Sequence, residues 1–323
     1  MTDFAIEAKN IKKKFGGKNI GPFKKPIVKA LQGVNLNIKY GENYCLLGPN
    51  GSGKTTLIRS LLGLLEAEGF IKILGYEIPK ERQKIMTKIG YMPQDISLYP
   101  DLSVKETLHF FGRIYGLKNR QVRNQAVEEL LEIFILKRWQ NIIVANLSGG
   151  MKRRLSLASS LIHKPMLVFL DEPTIGVDPT LRLSFWDYFK DLNEQGTTII
   201  TTTHIMDEAE KSKIIGFLRN GRLIAEGTVN GLRKKVPGNR KLIIGTSIEN
   251  TQPIADLIAK EYELNVLPSN YKIEVFYNND SLMDTILMFI REKVKIREIQ
   301  TVEPSLEDTF IYFSKKSEVS AIK

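Results

Sequence analysis

The chain has 323 residues, 42% hydrophobic and 26% charged, a balance that excludes a disordered polymer and leaves room for two domains. A net charge of +11 favours polyanions or an anionic membrane surface as neighbours. One cysteine, Cys45, excludes an internal disulfide, three scattered histidines give no metal-ligand spacing, and no apolar run reaches the ~18 residues of a membrane-spanning helix.

Residues 1–40 hold nine lysines and two acids. They read as a solvated surface, because no aromatic side chains interleave with them to stack bases. Asn43 to Gly48 is an apolar run of the kind that forms a strand buried on both faces of a parallel sheet. It leads into Gly48-Pro49-Asn50-Gly51-Ser52-Gly53-Lys54-Thr55, the phosphate-loop pattern in its required place between a strand and a helix. There the glycines let successive amides face phosphate oxygens, Lys54 reaches the β and γ phosphates, and Thr55 offers a hydroxyl to Mg²⁺. The following helix is expected to bury Leu57, Leu61 and Leu65 on one face.

A helical insertion is expected over about 95–160. Ser103 and Glu106 form a capping box there, followed by an apolar face of Leu108, Phe111 and either Ile114 or Tyr115. Gln94, after Pro93, is by itself an ordinary loop amide. Leu147-Ser148-Gly149-Gly150-Met151 opens a second helix with Met151, Leu155, Ala158 and Ile162 on its apolar face. Ser148 is the natural N-cap, and the unshielded amides of Gly149 and Gly150 can make an anion site, though the pentapeptide alone reads first as an ordinary capped helix.

The apolar run 166–170 is a second buried strand, delivering Asp171 and Glu172 to the sheet edge where open α/β sheets hold ligands. Downstream of a phosphate loop, Asp171 suits the magnesium shell. Glu172 suits the polarisation of an attacking water, a contribution of about 10²–10⁴-fold. A third strand, Thr198 to Thr203, brings His204 to the same edge, where an imidazole can bond a γ-phosphate or orient the water.

Beyond a break at Val236-Pro237-Gly238-Asn239, the alternation predicts strand 241–247, helix 252–262, strands near 264–268 and 271–277, helix 281–293 and strand 294–301. This β-α-β-β-α-β order suggests a small α+β appendage of ferredoxin-like type. A last helix is expected from about Ser305 to Lys315, with frayed residues after it.

Taken in order, the phosphate loop, Gln94, Leu147-Ser148-Gly149-Gly150, Asp171-Glu172, Gly176-Val177-Asp178 and His204 resemble the nucleotide-binding subunits of ABC transporters over about residues 4–230. The resemblance implies a P-loop NTPase fold of ABC type, a mixed α/β sheet core with a helical subdomain. The expected domains are 4–236 for nucleotide binding and 240–315 for the accessory unit. It also implies that two copies meet head to tail, so that Ser148, Gly149 and Gly150 of one contact the γ-phosphate held by Lys54 of the other. Glu172 and His204 are then catalytic, and Gly48 to Thr56 bind ATP through Gly48, Pro49, Asn50, Gly51, Ser52, Gly53, Lys54, Thr55 and Thr56. Mg²⁺ falls to Thr55, Gln94 and Asp171, Asp178 links the two sites, and Phe15 stacks on adenine, with Phe23 as its rival.

Met151 stands where the family usually has glutamine, Phe15 where it has tyrosine, and residues 16–27 look inserted. Glu68-Gly69 shortens the usual Ser-Gly turn. The ending Glu303-Pro304-Ser305-Leu306-Glu307-Asp308-Thr309-Phe310 is similar to ATPase subunits that pair with ABC-2-type export permeases. The implied partners are ATP, a second copy and a separate transmembrane permease, at the cytoplasmic face of the membrane, with no structural metal and no specific nucleic acid. A soluble ABC-type ATPase acting on nucleic acid or ribosomes is the alternative. It is disfavoured by a single cassette with only about a hundred residues between Gly48 and Ser148.

Overall fold

A computed structural model describes residues 3–16, 19–20, 23–24, 26–236, 240–277 and 280–322. The chain divides into two compact units, residues 1–227 and 228–323.

In the first unit, the fully buried strands Asn43–Leu47, Leu167–Asp171 and Thr198–Thr203 lie at the centre of a six-stranded sheet. Its order is Arg222–Gly227, Ile214–Arg219, Asn43–Leu47, Thr198–Thr203, Leu167–Asp171, Ile89–Met92, and only the first of these runs antiparallel to its neighbour. Apolar side chains on both strand faces require cover on both faces. One face is covered by a four-stranded antiparallel sheet, in the order Val28–Lys39, Phe4–Phe15, Glu68–Ile73, Tyr76–Ile78, together with the helix Lys54–Leu61. Leu36, Ile38, Leu46, Leu61, Ile73 and Phe169 fill that interior. At about 1.5–3 kcal/mol per fully buried aliphatic or aromatic side chain, this layer supplies a large share of what holds the strands in register.

The other face carries the helices Val104–Ile114, Arg120–Ile133, Gly149–Leu161 and Pro179–Glu194, packed around Leu108, Leu131, Phe134, Leu155, Trp186 and Phe189. The capping box is present: the Glu106 amide donates to Ser103 Oγ at 3.2 Å, and the Ser103 amide to Glu106 Oε2 at 2.8 Å. Tyr115, not Ile114, completes the apolar face, since Ile114 is exposed and Tyr115 stacks on His163. Leu65 is not on the phosphate-loop helix, which ends at Leu61 with Leu62 as its C-cap. Among the described residues no helix is long and apolar enough to cross a membrane.

The second unit sets strands Arg240–Gly245, Val266–Ser269, Lys272–Tyr277 and Glu298–Val302 in the order Val266–Ser269, Lys272–Tyr277, Arg240–Gly245, Glu298–Val302, every pair antiparallel. The helices Ile248–Tyr262 and Asp280–Arg291 follow the first and third strands, giving β-α-β-β-α-β. Alternation does its ordinary work here: Leu242, Ile244, Ile273, Val275 and Tyr277 face a core with Ile254, Ile258, Ile286 and Ile290. The closing helix runs Leu306–Ile322, past the expected end at Lys315, and its first turn is held by Ser305 Oγ accepting from the Asp308 amide at 3.0 Å. Residues 237–239 of the expected break lie outside the described residues.

Candidate functional site

Parallel pairing brings three strand ends together. Thr202 is in register with both Leu46 and Asp171, and Thr203 with Leu47. The residues just beyond those strands, Gly48, Glu172 and His204, therefore share one edge. The phosphate loop leaves it as a tight turn, with the Gly48 amide donating to the Thr203 carbonyl at 3.3 Å and the Ser52 amide to the Pro49 carbonyl at 3.1 Å. Gly53 is one position where the loop has no freedom of residue type. It sits at φ +108°, and a Cβ there would lie 2.6 Å from the Ala30 carbonyl oxygen.

Beside the loop lies a cleft of about 390 Å³, within the usual range for a ligand pocket. Asn50 to Thr56, Gln94 and Glu172 line it, opposite a wall of Val28, Lys29, Ala30, Gln32, Asn220 and Gly221. Lys54 is buried with its ammonium donating to the carbonyls of Gly48 at 2.7 Å and Pro49 at 3.2 Å, and it lies 3.3 Å from Glu172 Oε1. Glu172 Oε2 is 3.1 Å from His204 Nδ1. The carboxylate is thus held at both oxygens, by the residue that would neutralise phosphate and by the imidazole beside it.

Asp171 is fully buried. Its Oδ1 accepts from Thr202 Oγ1 at 2.6 Å, while Oδ2 is buried without a hydrogen-bond partner. Burial pushes this carboxyl above its usual range, against the hydroxyls of Thr202 and Thr55, which pull it down. Thr55 Oγ1 in turn lies 3.4 Å from Gln94 Oε1. A free buried carboxylate oxygen, a hydroxyl and an amide oxygen form a set of hard oxygen donors, and this set fits a magnesium ion that takes its remaining ligands from phosphate and water.

The Ser148–Gly150 tip is elsewhere. Ser148 caps its helix, accepting from the Met151 amide at 3.3 Å, and none of the three residues lines the cleft of its own chain. A Cβ on Gly149 would meet nothing, and one on Gly150 only the Gly176 carbonyl, at 3.7 Å. Asp178 caps the helix Pro179–Glu194 by accepting from the Leu181 amide at 3.1 Å. Phe15 is exposed, with the Lys13 ammonium 5.5 Å from its ring centroid, and its register partner Val28 lines the cleft mouth. The side chain of Phe23 lies outside the described residues.

Two buried side chains at this edge were not singled out from the sequence. Glu208 accepts from Thr203 Oγ1 at 2.8 Å and from Thr174 Oγ1 at 2.5 Å, so it clamps the strand end before His204 to the turn after Glu172. Arg153, on the helix behind the Ser-Gly-Gly tip, donates to the main-chain carbonyls of both the Gln94 and Glu172 turns. A spacing of five from Thr203 to Glu208 could have suggested a local contact. Nothing of that kind marks Arg153, which reads as one more basic residue in Lys152-Arg153-Arg154.

A sequence profile for the ABC transporter family matches residues 31–175. The chain is 35% identical to the Linearmycin resistance ATP-binding protein LnrL of Bacillus subtilis (strain 168), over 95% of this chain and 97% of that protein. It is 33% identical to the Nod factor export ATP-binding protein I of Bradyrhizobium diazoefficiens, over 96% of each. Among solved structures, a dimeric bacterial ABC transporter cassette shares 30% identity at a TM-score of 0.64, covering 69% of this chain and 98% of that one. A post-hydrolysis dimeric cassette bound to ADP and Pi shares 29% at a TM-score of 0.63, with the same coverage.

Proposed function

The chain belongs to the ABC transporter ATP-binding family, in its exporter branch, and from that premise we propose how its residues divide the work of binding and hydrolysing ATP. It is the ATP-binding, ATP-hydrolysing subunit of an ABC exporter. Lys54 and the loop amides after Pro49, up to Thr56, hold the phosphates, Gly48 and Pro49 shape the turn, Phe15 offers an aromatic face for adenine, and Glu172 is the general base. His204 keeps Glu172 oriented and reaches the γ-phosphate side. Thr55, Asp171 and Gln94 would hold Mg²⁺. When bound, it neutralises phosphate charge that would otherwise oppose closure.

The observation that carries this reading is the Lys54–Glu172 pair. A buried ammonium whose partners are two loop carbonyls and one carboxylate is poised to exchange that carboxylate for a phosphate, which frees Glu172 Oε1 to accept a proton from water. The separation of the Ser148–Gly150 tip from its own cleft supports a head-to-tail pair, in which the tip of one copy closes the cleft of the other. Closure brings polyanions into one interface and is favourable only while amides, Lys54 and magnesium offset their charge. Phosphate release removes those bridges and reopens the pair. A separate permease at the cytoplasmic face of the membrane takes up the motion and sets the substrate. The strand order 4-1-3-2 of the second unit supports its reading as a ferredoxin-like accessory domain. A nucleic-acid-remodelling role is not kept, because the relatives that match across more than nine-tenths of the chain are named for resistance and export.

Thiols placed at Asn50 and Gly149 in a Glu172→Gln background test the pairing. Cys45 will not interfere, since it is buried and its thiol is pushed up to about 12 by desolvation. Crosslinking between copies that requires Mg-ATP is the expected result; its absence with ATP bound overturns the head-to-tail assignment.

A further inference from the structure

Arg153 is 4% exposed, on the buried side of the helix Gly149–Leu161. Its guanidinium gathers four main-chain carbonyls. Nε donates to Pro173 at 3.2 Å, Nη2 to Asp171 at 3.1 Å and also to Glu172, and Nη1 to Gln94. Three consecutive carbonyls converging on one cation is an unusual local shape, and Glu172 at φ +51° lies within it, a left-handed conformation that a non-glycine residue adopts at a cost. A buried charge costs several kcal/mol unless its donors are satisfied, and a planar five-donor fork is the side chain that can satisfy that many carbonyls at once. Burial lowers the Arg153 pKa, and the nearby Asp171, Glu172 and Asp95 charges act in the opposite direction.

The consequence is mechanical. Gln94 follows the strand Ile89–Met92, and Glu172 follows the neighbouring strand Leu167–Asp171, in register at Met92 and Leu170. Beyond the strand ends the ladder no longer ties the two turns together. Arg153 does so from a third element, the helix whose own tip is Ser148-Gly149-Gly150. We propose that Arg153 is a positioning residue for hydrolysis, joining the Gln94 turn and the Glu172 turn into one body so that a displacement of the first is delivered to the base on the second. The inference rests on the assignment of Glu172 as the base, and it adds the linkage by which that base is set in place.

The test uses the full chain with Arg153→Gln and Arg153→Lys. Steady-state ATP hydrolysis, affinity for a fluorescent ATP analogue, and amide hydrogen exchange are the readouts. Arg153→Gln is expected to lower kcat about 10–100-fold, the scale of a misplacement near 1 Å, with KM and analogue affinity changed by less than about twofold. Arg153→Lys recovers part of that loss, because an ammonium reaches fewer of the four carbonyls. Exchange rises together at the amides of residues 94–96 and of 172, 174 and 175. Unchanged kcat, exchange that rises at only one of the two turns, or kcat and affinity falling in step with melting temperature each overturn the proposal. Should Arg153→Gln not fold, Arg153→Lys decides by the same split between kcat and affinity. Glu172→Gln in the same assay keeps the two ideas apart: full hydrolysis there removes the base assignment, while paired exchange at the two turns still decides the linkage.

Discussion

The phosphate-loop edge and the Ser-Gly-Gly tip are two halves of one proposed site, and they are built in opposite ways. At the edge, Lys54, Asp171 and Glu172 are buried side chains, Lys54 paired with Glu172 and bonded to the Gly48 carbonyl, and Asp171 bonded to Thr202. At the tip there is a capped helix end whose glycines offer only amides, with open space beyond Gly149. Ionised side chains need a preorganised shell or they lose their charge, whereas amides at a helix end need only exposure and a dipole. One chain can therefore prepare the catalytic half in full and must leave the other half bare for a second copy.

The comparison is sharpened first by Glu172→Gln, which is expected to cut turnover by about 10²–10⁴-fold while nucleotide binding persists. Hydrolysis at the parental rate, measured by phosphate release, would remove Glu172 from the role. Gly149→Asp places a charge on the bare half only. It should lower hydrolysis about tenfold to a hundredfold, the scale of lost hydrogen bonds to a charged group, and leave analogue affinity of the single chain unchanged. Equal losses in affinity would mean that the two halves are not separate.

Asp171→Asn should raise the melting temperature at neutral pH while abolishing magnesium-dependent turnover. Burial holds the Asp171 carboxyl above its usual range, so the cost of its charge is present at neutral pH and is relieved as pH falls through the folded-state value. The advantage of the asparagine variant should accordingly shrink as pH is lowered into the carboxylate range, and an advantage that grows instead would contradict the burial cause. The smallest effect is expected for Asp178→Ala, about 1 kcal/mol from loss of a helix cap, seen in chemical denaturation with nucleotide affinity unchanged.

Much of the candidate site's edge was legible because each part is a contiguous stretch whose local chemistry is complete: an apolar strand, a glycine turn, a helix start. The capping box at Ser103, the Ser148 cap and the buried strands follow from nearest neighbours and periodicity alone. Leu65 and Ile114 show the limit of periodicity, which continues a helical face without seeing that the helix has ended or that the next residue, Tyr115, has a better partner in His163. Arg153 and Glu208 show a deeper limit. Their partners are carbonyls and hydroxyls on turns up to 59 and 34 residues away, and a backbone carbonyl carries no trace in the residue type that bears it.

The sequence by itself determined the proposed chemistry of this protein, since side chains suited to phosphate, metal and water must be of particular kinds at particular spacings along strand ends. Tertiary structure alone decided how those pieces are braced against one another and which half of the site faces outward, because bracing runs through main-chain groups that every residue shares and exposure depends on what the rest of the chain covers.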